Sequence, residues 1–238
     1  MPESKSSVRF FRFFLLAITV PFNCHASSLC TSNGICNVRS FGAFGDGKHV
    51  DTKYIRKAAT EAGHQHDGSI LYFPKGTYLT GPFNLSSNMI VRIDSDATVL
   101  GNTNDKNDLW PLLDAGVVWP QFGHGSDCLP GTEACRLMHQ AFVFGWQLNN
   151  VTLEGGGTID ANGAPFWQCA KDLNQFPCNG YGRPHLMMIS NSTNIQVHSL
   201  TIKNSPDWTL HFSSVNHLLV NNMKVINPSN APNSDGID

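Results

Sequence analysis

The sequence lacks any apolar run long enough to cross a membrane. Its longest apolar segment, residues 13–22, has about ten residues, whereas a spanning helix needs about 20. This segment follows three basic residues and precedes Cys24-His25-Ala26, an order typical of a cleaved secretory signal. We therefore expect residues 1–26 to be a signal peptide and residues 27–238 to form a mature chain without a membrane segment. An uncleaved anchor is the alternative, which the short apolar length disfavours.

Charged residues are also scarce. They make up 14% of the chain, the formal net charge is −2, and no basic run or stripe occurs. This argues against a nucleic acid as partner, because such proteins concentrate Lys and Arg on one face. An acidic polymer would have to be held by locally placed Lys or Arg. The low charge, with 21 glycines and many asparagines, is typical of a β-rich protein with many turns.

Paired CxxC motifs of the zinc-binding type are missing, although the chain has 7 cysteines. Cys24 would leave with the signal peptide, and the other six fall into three local pairs. We predict the disulfides Cys30–Cys36, Cys128–Cys135 and Cys169–Cys178, although other pairings remain open on sequence alone. Disulfides agree with an oxidising, extracellular location.

Three Asn-X-Ser/Thr sequons lie at Asn84, Asn150 and Asn191. Each is a candidate N-glycosylation site on an extracellular surface. Chance occurrence is the alternative for any one of them, because the chain is rich in asparagine.

The glycine-rich segment 42–47 does not have the GxGxxG spacing of a nucleotide-binding loop, so we interpret it as a turn. Asp51 then resembles a helix N-cap, and Gly63 resembles a stop signal. Between them the apolar residues recur on one helical face. We expect one amphipathic helix here, placed where a repeat protein needs a cap.

The second half of the chain repeats itself with an offset of about 23 residues. The repeat aligns Ile189, Asn194, Ile195, Val197, Leu200, Ile202 and Asn204 with Phe212, His217, Leu218, Val220, Met223, Val225 and Asn227. The segment 150–160 fits the same frame with one residue inserted. Short strands separated by Asn and Gly turns at this period predict the rungs of a parallel β-helix, with stacked apolar columns and stacked asparagines at the turns. A leucine-rich repeat has a similar period but needs more leucine than this chain has.

Two segments, 110–135 and 166–183, interrupt the repeat. Each contains a predicted disulfide together with Pro, Gly and aromatic residues. We expect them to be loops that leave one face of the solenoid, where repeat proteins often bind their ligands.

Five motifs in order resemble the polygalacturonases, glycoside hydrolase family 28. They are residues 41–47 (FGAFGDG), 73–78 (FPKGTY), 157–163 (GTIDANG) with Trp167, Arg183-Pro184, and 233–238 (NSDGID). The first two are shared by several β-helical families, whereas the third and the last are more specific. The resemblance implies an all-β, right-handed parallel β-helix with one N-terminal capping α-helix, and inverting hydrolysis of α-1,4-galacturonide bonds in pectin.

Carried over from the family, Asp235 is the carboxylate that helps to activate the attacking water. Asn233 and Asp238 are candidate substrate contacts. An inverting glycosidase needs such a base together with a second carboxylic acid that protonates the leaving oxygen. The alternative for Asp235 is an aspartate that only caps turn amides, and Asp238 is the last residue given.

The family's remaining motifs, a paired aspartate with the general acid, a Gly-His-Gly and an Arg-x-Lys, follow the position of Asp238. The segment 123–125 (GHG) precedes the NSDGID motif, so we interpret it as a coincidental loop sequence. We therefore expect a C-terminally truncated solenoid that comprises the N-terminal part of the glycosidase domain, with negligible turnover of its own.

Two alternatives share the solenoid. A pectate-lyase-like β-eliminase would need Ca²⁺ held by clustered carboxylates, and no such cluster is visible in the sequence. A non-catalytic carbohydrate-binding β-helix could stack sugars on exposed tryptophans at positions 110, 119, 146, 167 and 208. We expect pectin or polygalacturonate as the partner, no cofactor or metal, and an extracellular or cell-wall location. The oligomeric state is open.

Overall fold

The computed structural model describes residues 29–65, 68–103, 110–114 and 137–238. The predicted signal peptide, the Cys128–Cys135 pair, Trp119 and the segment 123–125 lie outside these ranges. Within them, no helix is long and apolar enough to cross a membrane.

The described chain is almost entirely short strands, with two α-helices, α1 (Thr52–His64) and α2 (Ala164–Trp167). Residues Val38–Phe41 and Gln168–Ala170 form 3-10 turns. The strands are β1 (Ile35–Asn37), β2 (Asp46–Val50), β3 (Ser69–Phe73), β4 (Gly76–Thr80), β5 (Phe83–Asn84), β6 (Met89–Ile93), β7 (Ala97–Gly101), β8 (Leu112–Asp114), β9 (Leu137–His139), β10 (Val143–Trp146), β11 (Asn149–Glu154), β12 (Thr158–Asp160), β13 (Met187–His198), β14 (Thr201–Lys203), β15 (Leu210–Asn221) and β16 (Lys224–Ile226).

These strands wind into a parallel β-helix, as predicted. One sheet has the order β2-β4-β7-β12-β14-β16. The other bends at residue 191, so that the first part of β13 pairs with β10 and the second part pairs with β11. Among the described strand pairs the pairing in both sheets is parallel, and β8 and β9 pair antiparallel. An isolated antiparallel bridge also joins Asp94 and Gly156.

The strand register confirms the predicted repeat. Ile189 pairs with Phe212 and Ile202 pairs with Val225, which is the offset of 23 residues. The inserted residue is confirmed too, since Leu153 pairs with Val197, 44 residues on, whereas Ile159 pairs with Ile202, 43 residues on.

Stacked apolar side chains form the core. Leu71, Val91, Leu153 and Val197 occupy one column by register, and all four are completely buried. Burying each such side chain stabilises the fold by about 1.5–3 kcal/mol. The stacking of rungs therefore supplies the main driving force for the solenoid.

The corners between strands use left-handed backbone conformations. Gly68, Asn88, Asn150, Asn194 and His217 are aligned by register and have φ values between 56 and 83°. Asparagine tolerates this region better than most residues, which explains its recurrence. The side chains bond in pairs and not as one continuous ladder: Asn150 donates to Asn88 at 3.2 Å, whereas Asn194 donates to Asn149 at 3.1 Å.

Helix α1 covers the N-terminal end of the solenoid, as expected, and buries Ile55 and three alanines. Its two predicted boundary signals act differently. The Asp51 carboxylate makes no capping bond to the helix and accepts from the backbone N–H groups of Phe44 and Gly45 at 2.7 and 3.0 Å. Gly63 does not stop the helix, which continues to His64. A glycine is needed at this position because a larger side chain would collide with Ser86.

Two of the predicted disulfides, Cys30–Cys36 and Cys169–Cys178, are present. The second one ties together the loop that includes α2. The predicted insertion 166–183 lies between β12 and β13. Of the other predicted insertion, 110–135, only residues 110–114 are within the described ranges.

Candidate active site

The acidic segment 233–238 lies alongside the beginning of β15. Ile237 forms a parallel bridge with Leu210, and the Asp238 N–H donates to the Leu210 carbonyl at 2.9 Å. Phe212 donates in turn to the Asp238 carbonyl at 3.0 Å. The segment therefore continues the sheet face formed by β10 and the first parts of β13 and β15, one rung beyond β15.

A buried arginine fixes the turn that begins this segment. Arg183, only 1% exposed, donates from Nη1 to the carbonyls of Pro206 and Pro232, each at 3.0 Å. Its Nη2 donates to Asn233 Oδ1 at 2.7 Å and lies 3.0 Å from the Asp207 carboxylate. Asp207 is as buried as Arg183, so the pair neutralises two buried charges. One guanidinium thus joins three successive rungs.

Arg183 gives Asn233 a structural contact that the sequence did not predict, while the predicted substrate contact of Asn233 stays a prediction. The side-chain oxygen of Asn233 accepts from Arg183, and its backbone is left-handed at φ 54°. Asn233 therefore orients the turn, in addition to the substrate contact that was predicted. Arg183 was recognised in the sequence only as part of a motif, because a single Arg-Pro dipeptide does not reveal which carbonyls it will meet.

The two aspartates of the segment are both exposed. Partial burial raises the pKa of Asp238, and the negative charge of Asp235 raises it further. The two carboxylates therefore interact electrostatically. The Asp238 carboxyl group therefore holds its proton more strongly than an ordinary aspartic acid does.

Three aromatic rings pack on the rungs behind these aspartates. The ring centroids of His185, Trp208 and His211 lie 4.9–5.1 Å apart. Since Leu210 pairs with Ile237, His211 stands opposite Asp238 in the register. The cluster thus forms the floor beside the acidic segment.

Burial lowers the pKa of both histidines. The pKa of His211 falls to about 4, and that of His185 falls well below its usual range because burial is reinforced by His211 and Arg183. Both rings are therefore neutral near pH 7 and provide a polar but uncharged floor. These two histidines were not identified from the sequence. The offset of 23 residues does predict that His211 pairs with Met188, but not that it contacts His185.

The predicted exposure of the tryptophans is only partly confirmed. Trp146 is 38% exposed, whereas Trp110 is 4% exposed and donates its indole N–H to Asn102. Trp167 donates to the Ser205 carbonyl, and Trp208 belongs to the aromatic cluster. The expectation of an exposed ring is therefore wrong for Trp110, because its ring stacks on the buried Phe142 in the core.

The three predicted glycosylation sites, Asn84, Asn150 and Asn191, are exposed. Asn150 and Asn191 occupy left-handed corners, with φ values of 59 and 49°. Modification of these residues stays a prediction. Among the described residues, no group of three or more His, Cys, Asp or Glu side chains could hold a metal ion.

Known proteins resemble this chain over most of its length. A probable polygalacturonase of Vitis vinifera is 32% identical over 201 residues, which are 83% of this chain and 38% of that protein. A polygalacturonase of Chamaecyparis obtusa is 26% identical over 86% of this chain and 35% of its own length. The chain thus spans less than two fifths of both relatives.

Solved structures share the fold. An exopolygalacturonase of Thermotoga maritima superposes with a TM-score of 0.64 at 22% identity, covering 86% of this chain and 49% of that one. The polygalacturonase of Erwinia carotovora gives a TM-score of 0.61 at 21% identity, with coverage of 86% and 51%. The sequence model described as glycosyl hydrolases family 28 matches residues 66–238, which include the acidic segment, Arg183 and the histidine cluster. The chain belongs to glycosyl hydrolases family 28.

Proposed function

We propose that this chain is part of a secreted hydrolase that cleaves α-1,4-galacturonide bonds of pectin with inversion. The observation that carries the proposal is the exposed Asp235, presented on the outer sheet face by a turn that Arg183 holds. Family membership supports hydrolysis of a pectin-type polysaccharide, and the two disulfides agree with passage through the secretory pathway.

In this mechanism Asp235 accepts a proton from the attacking water. Asn233 orients the turn, and Asp238 contacts the substrate with a carboxyl group whose pKa is raised by partial burial and by the charge of Asp235. The neutral His185 and His211 rings exclude water beneath the sugar without adding a charge. Arg183 does not touch the substrate and acts only by positioning Asn233.

We further propose that residues 27–238 alone turn over substrate negligibly. Inverting hydrolysis needs a second carboxylic acid across the scissile bond, at about 6.5–9.5 Å from the base. Neither Asp238, on the same turn, nor the neutral histidines of the described part suit that role. Without general acid catalysis the rate falls by about 10²–10⁴-fold.

The test is an assay of reducing-end release from polygalacturonate by the purified protein, with Asp235→Asn as the matched variant. We expect release near the level of a no-protein control. If the protein releases reducing ends at an enzymatic rate and Asp235→Asn abolishes this release, the result would support the role of Asp235 as the base. It would contradict the proposal that residues 27–238 turn over substrate negligibly. Release that survives Asp235→Asn would refute the proposed role of Asp235.

A non-catalytic carbohydrate-binding role is the second candidate, because Trp146 exposes a ring on the face of β10. Stacking on an exposed ring contributes to sugar binding without any acid or base. Binding of polygalacturonate that Trp146→Ala weakens and Asp235→Asn leaves unchanged would favour this role. Unsaturated products that disappear on chelation would instead favour the lyase alternative.

A further inference from the structure

A cavity of about 500 Å³ lies between helix α1 and strand β5, and it shares no residue with the acidic segment. Its polar lining consists of Arg56, Thr60, His64, Asn84, Ser86 and Gln140, and none of its lining residues in the described part is acidic. Cavities of this size hold small ligands of one or a few rings. The lining therefore favours a polar, anionic occupant.

Arg56 gives the cavity its positive charge. Its Nε donates to the Pro82 carbonyl at 2.7 Å, which holds the guanidinium at the cavity wall. Its Nη2 is buried and has no hydrogen-bond partner in the described structure. Arg56 as a whole is half-buried, but a buried nitrogen without an acceptor is costly, and such groups in native proteins usually have one. The Arg56 guanidinium is therefore suited to bind an anionic acceptor in the cavity.

The opposite wall is already arranged. Gln140 donates to Asn84 Oδ1 at 2.8 Å, which fixes both amide side chains at the mouth of the cavity. On the same wall as Arg56, the Thr60 hydroxyl donates to the Arg56 carbonyl at 2.9 Å within helix α1. Fixed amides and hydroxyls are the groups that recognise sugar hydroxyls, beside a cation that recognises a carboxylate.

We propose that this cavity is a second binding site for an acidic polysaccharide, with Arg56 holding the carboxylate of one uronate unit. The choice of a uronate rests on the proposed function, whereas the anionic character rests on Arg56 alone. The site differs from the acidic segment in charge, since it carries a guanidinium where the segment carries two carboxylates.

The sheet connects the two sites. Strand β5 pairs with β10, β10 with β13, β13 with β15, and β15 with the acidic segment. Four interstrand spacings of about 4.8 Å separate Asn84 from Asp238 by about 19 Å. A polymer anchored at the cavity therefore reaches the acidic segment only if it runs across the strands.

The experiment measures binding of trigalacturonate to the purified protein, produced in a host that attaches no N-glycans. Titration calorimetry supplies the affinity, and hydrogen exchange locates the protected amides. We expect protection in α1 and in residues 83–86. Arg56→Gln should weaken binding about 10-fold or more, because a charge-assisted pair is lost.

Matched variants keep the test decisive. Lys57→Gln removes a neighbouring exposed charge that does not line the cavity and should change the affinity less than about 2-fold. Thr60→Phe fills the cavity while keeping Arg56, and it should also abolish binding even if Arg56→Gln folds poorly. Asp235→Asn tests the proposed function and should leave protection at the cavity unchanged.

Several results would overturn the proposal. Equal affinity of wild type and Thr60→Phe, equal binding of a neutral galactose trimer, or protection confined to residues 208–238 would each do so. Inorganic phosphate that binds as tightly as trigalacturonate would reduce the site to a simple anion site and exclude a sugar subsite.

Discussion

The two ends of the described solenoid each use a buried charged side chain to hold a turn, but with opposite signs. At the cap end, Asp51 is fully buried and accepts from two backbone N–H groups of the glycine-rich turn. At the acidic end, Arg183 is equally buried and donates to two backbone carbonyls and to Asn233. The N–H groups of Phe44 and Gly45 suit a carboxylate, whereas Pro206 and Pro232, which have no N–H of their own, present carbonyls that suit a guanidinium.

The comparison also separates stability from function. The turn held by Asp51 supports the cap helix, far along the chain from the acidic segment. The turn held by Arg183 carries Asn233 directly and Asp235 two residues later. Replacing either residue should destabilise the fold, and only Arg183 should also affect the acidic segment.

The largest effect is expected for Arg183→Ala. It leaves the Asp207 carboxylate buried without its cation, and it removes the donors of three turn acceptors. We expect a loss of about 4 kcal/mol in the free energy of unfolding, as for other broken buried pairs. Urea denaturation measures it. The double variant Arg183→Met with Asp207→Leu should recover part of this loss, and no recovery would show that the charge of Asp207 is not the cause.

Asp51→Ala should come next, with a loss of about 3 kcal/mol, because two N–H groups lose their acceptor. Asp51→Asn keeps one acceptor oxygen and should lose about half as much. Urea denaturation again provides the measurement, with hydrogen exchange of the amides of residues 44 and 45 as a local signal. A variant as stable as wild type would contradict the equivalence of the two ends.

Acid should weaken the acidic end through His211. Its pKa is lowered to about 4 in the folded protein from the usual 6.5, so the unfolded chain binds the proton more readily. Stability is therefore complete above about pH 6.5 and falls as the pH drops towards 4. Between pH 7 and pH 4.5 this residue alone should account for about 2.5 kcal/mol.

The comparison of pH profiles isolates this contribution. The His211→Phe variant should lose less stability on acidification than wild type does. His64, which is exposed at the last turn of α1, serves as the control, and His64→Gln should change the pH profile less than His211→Phe does. A wild-type-like profile for His211→Phe would contradict the assignment.

The smallest effect is expected at the corners that join the two ends. Asn150→Ala places alanine at φ 59° and removes a bond to Asn88, which should cost about 1 kcal/mol. Asn150→Gly keeps the backbone freedom and should cost less. Thermal unfolding of the two variants side by side distinguishes backbone strain from the lost hydrogen bond.

The fold could be predicted from the sequence because of the repeat, whereas the polar contacts could not be predicted. An offset of 23 residues with aligned Ile, Leu and Val fixes which residues stack, because each rung must bury its apolar side against the next. The residues of the candidate site were found through a motif, with Asp235, Asn233 and Asp238 on one exposed segment as expected. The contacts of Arg183, which was recognised only as part of a motif, and the role of the two histidines were missed, because most of their partners lie 20 to 50 positions away in the sequence.

The misread signals share a physical cause. Asp51 and Gly63 are placed as a helix start and stop would be, but tertiary contacts use them otherwise. Asp51 binds a neighbouring turn, and Gly63 makes room for Ser86. Trp110 resembles an exposed loop residue but fills the core next to Phe142. Local patterns predict where a residue stands, and packing decides what it touches.

The extra residue between Leu153 and Ile159 shows how a rung of this solenoid can change in length. It is accommodated at Gly155 and Gly156, whose φ values of 119 and 87° suit few other residues, while the strands on both sides keep their partners. A solenoid corner can therefore lengthen without disturbing the stacked columns. The length of each corner in this architecture can therefore change separately, while the strands on both sides keep their pairing.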